Sequence, residues 1–469
     1  MTRATMSTGA VGFGPKQAPS GGQEPLNMVV LGDFSGAGNN SETLRAITID
    51  RDNFDDVFAK IAPALTIPGT EDLLTFTELD QLHPDFLYRE SALFAHLRRL
   101  KSGLKNPAKV ERVSQEILSW SDAEKLPAEA ASSKDTANAS EQGITMSLDS
   151  LLERNSQNVT AANDIGAFIK SVVAPHLSAK ATPQQNQLAQ TLADACSALM
   201  VEVLQWPAFK VLEANWRSLY WLTRQLETGP QLTISLIDIS LPQLAALSER
   251  ANGLNKLSAL LGKDPLHTAQ RSYDLIVGNY QFDDDLQQLA VLGQLTDIAA
   301  ANNALFISGG HERLAGCASL RQSSDPDDWN YSQHSQTEAA WNTLQQQPTF
   351  ANCVLTCPRF LLRLPYGKKT APIETFAFEE WSDISTGEHY LWGNSAHLVA
   401  AGIAQQHHSD DPLSIGDLPV HYYQIDGESE MQPCLEAALG DRARGHLRDA
   451  GLRPLALASP DRALVALAV

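Results

Sequence analysis

One stretch of this 469-residue chain limits its fold more than any other: from Leu232 to Ser308, strand-length apolar runs alternate with longer helical ones. Leu232 to Ile239 reads as a strand, Leu241 to Leu261 as a helix and Tyr273 to Tyr280 as a buried strand. Leu286 to Ala301 follows as a helix and Ala304 to Ser308 as a strand. In a β-α-β-α-β order each helix returns the chain to the same end of the sheet. The strands then pair in parallel, and helices cover both faces. The expected fold class is α/β, with mixed or mostly parallel sheets flanked by helices.

The remaining chain fits around that core. Leu26 to Leu31 is a strand with a good apolar run, and Gly32 to Asn40 is a turn-rich loop. Arg51 to Ala64 carries Phe54, Val57, Phe58 and Ile61 at helical spacing, with Asp50 or Asp52 as N-cap. Leu73 to Leu79 alternates as a strand through Leu74 and Phe76, and His83-Pro84-Asp85 opens a helix. Leu87 to Leu104 places Leu93, Leu97 and Leu100 on one helical face, and Val110 to Trp120 is a further helix. Two helical stripes then run through Leu188, Leu192, Cys196, Leu199 and Val203, and, after Pro207, through Phe209, Leu212, Trp216, Leu219 and Leu222. Asn352 to Leu364 is a strand region and Leu391 to Ala404 a helix. The tail alternates short strands with one helix, Leu435 to Ala450. The segments expected are a flexible arm (1–24), a mixed region (25–125), a linker (126–146), a helical region (147–230) and the α/β region (231–469).

The formal net charge of −20 disfavours nucleic acid and anionic membranes, since phosphate binding needs dense basic patches. The opening 24 residues are rich in Gly, Ser and Pro and lack the apolar core of a signal peptide. No run of about 18 apolar residues offers a membrane span. Five irregularly spaced cysteines fit reduced thiols in the cytoplasm better than a disulfide framework.

Chemical motifs have plainer competitors. Gly32 to Gly38 follows a strand, as a phosphate loop does, but lacks the Lys-Ser/Thr pair; a tight turn is the simpler reading. His407, His408, Asp410 and Asp411 cluster without a second ligand pair at fixed spacing, which favours a solvated loop over a metal site. Asp283 to Asp285 reads as a helix cap rather than a calcium loop. His311 and Glu312 follow Gly309-Gly310 at a strand end, where α/β enzymes keep their sites, yet no nucleophile or acid-base partner stands beside them. No cofactor or catalytic set is expected.

Pro358-Arg-Phe-Leu-Leu-Arg-Leu-Pro-Tyr-Gly367 puts Arg359 and Arg363 on one strand face within an apolar run. Two cations there need carboxylates or water, and Glu374, Glu379 and Glu380 are the local candidates. The pairing is either a network inside one subunit or charge complementarity between neighbours.

Two sets of motifs carry a family resemblance. Leu31-Gly-Asp-Phe-Ser-Gly36, Ile49 to Val57 and Asp80-x-x-His83-Pro-Asp85 resemble the small, TssB-like subunit of the type VI secretion contractile sheath. Phe209-x-x-Leu212-Glu-Ala-x-Trp216, Gly278-Asn-Tyr-x-Phe282, Pro358 to Gly367, Leu391-Trp-Gly-Asn394 and Leu418-Pro-Val-His421 resemble the large, TssC-like subunit. The chain is thus similar to a fusion of both, shortened after Gly451-Leu-Arg-Pro-Leu455. The resemblance implies a phage-tail-sheath-like fold and a cytoplasmic structural subunit that polymerises with itself or other sheath subunits around an inner tube. It also implies contact with a baseplate and recycling by an AAA+ unfoldase. Strands donated between protomers would place Val11 and Phe13 in an interface, with Arg359, Arg363, Glu379, Glu380 and Trp392 as further interface candidates. A non-polymerising adaptor or cap of the same machine, and an α/β enzyme with a site near His311, are the competing expectations.

Overall fold

The computed structural model describes residues 25–36, 44–68, 72–106, 108–121, 185–262, 272–381, 389–406, 414–425 and 427–465. Val11, Phe13, the linker, the segment 147–152 and the 407–411 cluster lie outside them. In chain order the elements begin β1 (Leu26–Gly32), β2 (Ala46–Ile49), α1 (Phe54–Ile61), β3 (Ala64–Thr66), β4 (Leu73–Thr75), α2 (Pro84–Glu90), α3 (Ala95–Leu104), α4 (Val110–Ser121), α5 (Gln185–Gln205) and α6 (Pro207–Gln225). They continue β5 (Leu232–Asp238), α7 (Leu241–Ser248), α8 (Asn255–Leu261), β6 (Leu275–Phe282), α9 (Leu286–Ala301), β7 (Leu305–Gly310), α10 (Ser335–Gln345), β8 (Cys353–Cys357), β9 (Phe360–Arg363) and β10 (Leu391–Gly393). Last come α11 (Ala396–Gln406), β11 (Ser414–Ile415), β12 (His421–Ile425), β13 (Glu428–Gln432), α12 (Asp441–Asp449), β14 (Arg453–Pro454), β15 (Ala456–Ser459) and β16 (Arg462–Leu464).

These elements form two compact units. The first comprises Met1–Ile61, Val211–Leu364 and Tyr390–Val469; the second comprises Ala62–Lys210 and Pro365–His389. Both cut across the segments read from the sequence. The first unit is built on a seven-stranded sheet in the order β14-β8-β7-β6-β1-β5-β2. Its neighbours pair in parallel except β2, which runs antiparallel to β5 at one edge. Strand β1 lies between β5 (Leu26↔Leu232 through Gly32↔Asp238) and β6 (Met28↔Leu275 through Leu31↔Gly278). Its residues Met28 to Leu31 are all fully buried, as a central parallel strand covered on both faces requires. Val29, Leu31, Ile237, Ile276, Phe306, Leu292 and Leu295 share one apolar core.

Several expected elements are interrupted, each for a local reason. The helix expected over Leu241–Leu261 is two, because Asn252 turns left-handed (φ 61°) and a Cβ at Gly253 would overlap the Leu247 carbonyl. The helix expected from Leu87 to Leu104 breaks at Ser91, whose extended backbone and hydroxyl, accepting from the Leu93 N–H at 3.1 Å, start a new turn. Leu391–Gly393 is a strand, and the helix behind it starts only at Ala396, whose N–H the Asn394 side chain accepts at 2.9 Å. The last helix begins at Asp441 rather than Leu435, since Leu435 bridges to Phe360 and the Glu436 N–H donates to Arg359. The strand at Leu73 ends at Thr75, although Leu74 and Phe76 are both buried as expected.

The second unit joins the β3–β4 hairpin, helices α2 to α5 and a loop beginning at Pro365. His83 caps α2 through Nδ1, which accepts from the Asp85 N–H, and Pro84 sits where no N–H is needed. Asp85 is buried and accepts from the N–H groups of Glu374 and Thr375 and from the Thr375 hydroxyl at 2.7 to 3.0 Å. Burial alone would raise this carboxyl, but the donors outweigh it and hold it below the usual range. The three residues of the His-Pro-Asp motif therefore cap one helix and clamp one loop.

Candidate functional site

Motifs from both ends of the chain meet at the C-terminal end of the parallel sheet. After β1 the chain turns sharply through Asp33-Phe34-Ser35-Gly36, with Gly36 left-handed (φ 69°) and its N–H donated to Asp33 Oδ1 at 2.9 Å. The Phe34 and Ser35 N–H groups both point at Oδ1 of Asp238, the last residue of β5, at 2.8 and 3.1 Å. These are the donors a phosphate would need, and a carboxylate already holds them. The turn is a joint that follows a central strand of the sheet, not one at its edge.

Helix α6 locks the joint from one side. Asn215 donates to the Asp33 carbonyl at 2.7 Å and accepts from Asn279 of β6 at 2.8 Å. Trp216 Nε1 donates to the Phe34 carbonyl at 2.8 Å, and its ring is packed by Phe34, Phe54 and Phe58 at centroid distances of 5.2, 5.7 and 4.4 Å. On the other side Asn394 Nδ2 donates to the Tyr280 carbonyl at 2.6 Å. Tyr280 in turn donates its hydroxyl to the Ile239 carbonyl at 2.7 Å. The Gly-Asp-Phe-Ser-Gly, Glu-Ala-x-Trp, Gly-Asn-Tyr and Trp-Gly-Asn motifs are thus tied to one another through Asn215, Trp216, Asn279 and Asn394. Burial pushes the Asp33 carboxyl up to about 6, against the Gly36 N–H and with a further push from Asp238. Asp238 is raised too, by burial.

The arginines of β9 find carboxylates far away in sequence. Arg359 makes a two-pronged pair with Glu436 at 2.8 and 2.5 Å. Arg363 does the same with Glu213 of α6 at 2.9 and 3.2 Å, and Arg217 reaches Glu213 at 2.6 Å. Glu213 is fully buried. Burial would raise its carboxyl, but the charges of Arg363 and Arg217 overcome that and hold it below the ordinary range. The local candidates are engaged elsewhere. Glu374 pairs with Arg89, Glu379 accepts from the Lys368 N–H, and buried Glu380 accepts from the Tyr366 N–H at 2.7 Å. Trp392 is buried on β10, opposite Leu361 and edge-on to Tyr390. Strand alternation does not point to Glu213, Asn215, Asp238 or Glu436. Glu213 had a usable signal: it stands four residues after Phe209 and three before Trp216, inside the apolar arc of the helix.

At the other end of the motif list, His311 caps a short turn, its Nδ1 accepting from the Arg313 N–H at 3.3 Å. Arg313 pairs with Asp283 and Asp284, and Asp285 caps α9 by accepting from the Gln288 N–H. All five cysteines are free thiols. Among the described residues no group of three or more His, Cys, Asp or Glu could hold a metal ion. No single described helix is long and apolar enough to cross a membrane.

Motif residues bound to each other around a parallel sheet define an α/β protein whose signature sequences build a structural joint. Comparison with known proteins specifies the class. Residues 186–466 match the EvpB/VipB tail sheath N-terminal domain, and residues 18–130 match the VipA family of the type VI secretion system. The first match covers more than half of the chain, which belongs to that family of tail sheath proteins. The chain is also 30% identical over 315 residues to the type VI secretion system sheath protein TssC1 of Pseudomonas aeruginosa, across 64% of this chain and 60% of that protein. It therefore spans about 60% of the length of that curated relative. Small- and large-subunit sequences follow one another in a single polypeptide, as expected of a fusion.

Proposed function

We propose that this chain is a structural subunit of a type VI secretion contractile sheath, carrying in one polypeptide what is otherwise divided between two. The observation that carries this reading is the place of β1. The strand from the VipA-like segment fills the sheet of the VipB-like segment, between β5 and β6. The opening part of the VipA-like segment so shares the core of the first unit with the VipB-like segment, which is what a single-chain sheath protomer needs.

In this reading the chain assembles in the cytoplasm with copies of itself or other sheath subunits, around an inner tube and against a baseplate, and is recycled by an AAA+ unfoldase. Of the interface candidates, Arg359 and Glu379 remain open to a neighbour, while Arg363, Glu380 and Trp392 serve the fold. The test is purification of the full chain, sizing, and negative-stain electron microscopy. Tubes or stacked rings are expected, alone or after co-expression with other sheath components. A discrete small complex with sheath or baseplate proteins would favour an adaptor, and a protein that stays monomeric and binds no sheath component would overturn the reading.

A further inference from the structure

The stretch from Arg89 to Arg112 is the cationic exception in an anionic chain. It carries seven Lys and Arg against two Glu, where the whole chain has 35 Lys and Arg against 55 Asp and Glu. Three of the seven serve the fold. Arg89 pairs with Glu374, Arg98 donates to the Ser91 carbonyl at 3.0 Å, and Lys101 donates to the Thr375 carbonyl at 3.2 Å. The other four, Arg99, Lys105, Lys109 and Arg112, are exposed and make no ion pair among the described residues.

These four stand on a firmly built helical hairpin. Helices α3 and α4 are pressed together where a Cβ on Gly103 would lie 2.6 Å from Val113 Cγ2. Asn106 holds the turn between them: its side chain accepts from the Ala108 N–H at 3.0 Å, and its carbonyl accepts from the Lys109 and Val110 N–H groups at 2.9 and 3.1 Å. Arg99, Ser102 and Lys105 follow at intervals of three along α3 and its C-cap, and Lys109 and Arg112 do so at the start of α4. The dipole of α4 opposes cations at that end, and like charges repel. No carboxylate among the described residues is paired with the ridge, which points to a counter-charge on another molecule.

The first unit offers the complement. Asp52 precedes α1, and Asp55 and Asp56 lie in its first turn, where the dipole favours them. All three are exposed, share one side of the helix start, and make no ion pair among the described residues. The other described acidic triplets of similar span already hold arginine: Asp283 and Asp284 face Arg313, and Asp325 and Asp327 face Arg442.

We infer that the α3–α4 ridge of one copy docks on the acidic start of α1 of a second copy. Lys105, Lys109 and Arg112 then meet Asp52, Asp55 and Asp56, with Arg99 at the margin. Single exposed ion pairs contribute little. This contact gains by relieving two clusters of like charge at once, and by repetition along an assembly. Each copy can engage one neighbour through its ridge and another through α1, so the contact propagates head-to-tail. This inference rests on the sheath reading and names one of its contacts.

The test uses the full chain in charge-reversed forms. One form carries Lys105→Glu, Lys109→Glu and Arg112→Glu; the other carries Asp52→Lys, Asp55→Lys and Asp56→Lys. Each alone should self-associate roughly tenfold more weakly than wild type, or worse, in sedimentation velocity, with unchanged circular dichroism. Their equimolar mixture should regain assembly, because each altered patch then meets its opposite on the other form. Carbodiimide cross-linking of mixed isotope-labelled and unlabelled wild type should join Lys105 or Lys109 to Asp52, Asp55 or Asp56 across two chains. That cross-link needs no variant, so its absence from wild-type assemblies overturns the inference even if a triple variant fails to fold. A mixture that stays unassembled while the wild type assembles also overturns it, and both results leave the sheath reading standing. Ridge-dependent binding of fluorescent single-stranded DNA without rescue in the mixture overturns it in favour of a nucleic-acid surface. A wild-type chain that stays monomeric with all partners overturns both readings.

Discussion

Asp33 and His397 show how single titratable groups act in opposite directions on this protein. Burial lifts Asp33 to about 6 from an ordinary 3.8, so its contribution to stability is complete below the unfolded value and is lost as pH rises through about 6. Asp33→Asn keeps an oxygen for the Gly36 N–H and removes the charge. It should raise the stability of the first unit by about 1–2 kcal/mol at pH 7.5 and leave it unchanged at pH 4. Urea titrations at the two pH values check this. His397, fully buried on α11, is pushed down to about 4 by burial, against its contact with the Asn394 carbonyl at 3.2 Å. Its folded value lies below the unfolded 6.5, so stability is complete above that value and falls as pH drops towards 4. His397→Gln should remove this loss on the acid side in the same titration, leaving the opposite trend set by Asp33. Between pH 4 and 6 the two effects oppose each other, so the wild type should show a shallower pH profile than either single variant.

At the scale of elements, buried charge ties helix α6 to strand β9. Glu213→Ala would leave Arg363 and Arg217 facing an apolar interior and should cost about 3–5 kcal/mol. Glu213→Leu combined with Arg363→Met should recover a large part of that loss, since an apolar pair needs no compensation. Thermal unfolding of the three proteins distinguishes the outcomes. The same elements show what local sequence can and cannot tell. Periodicity was sufficient for β1, β5, β6, α9 and the stripes of α5 and α6, because each of those faces is decided by its own residues. The breaks at Ser91, Gly253 and Asn394 depend on single hydrogen bonds or single missing Cβ atoms, which periodicity averages away. The partners of Arg359 and Arg363 lie 77 and 150 residues distant, so proximity in sequence pointed at the wrong carboxylates. The β12–β13 hairpin carried an Asp426-Gly427 turn signal between its strands, but its polar alternation gives no hint of a core to pack against.

For the whole molecule, the α/β order was legible from residues 232–308, yet the place of β1 was not, because nothing in Leu26 to Leu31 says which strands will flank it. Residues 185–469 produced alone therefore lack a central strand, and β5 and β6 face each other across a gap one strand wide. That fragment should be insoluble or lack cooperative unfolding. It should be rescued at least in part by co-expressing residues 25–61; rescue is read from solubility and far-ultraviolet circular dichroism. Full cooperativity without β1 would show that the sheet can close over the missing strand.

The position of β1 also fixes a timetable. The strand ends at Gly32 and leaves the ribosome well before β6, its second partner, which ends at Phe282. At ~5–20 residues per second, an apolar ribbon waits on the order of 12–50 seconds for the neighbours that will cover it. During that interval the nascent chain offers a sticky edge to any passing strand, including the same segment on an adjacent ribosome of the same message. A slow stretch of translation would lengthen the wait, and a holding chaperone near the exit tunnel would make it safe. The yield of folded protein is then governed by events between the synthesis of β1 and that of β6 as much as by the stability of the finished protein.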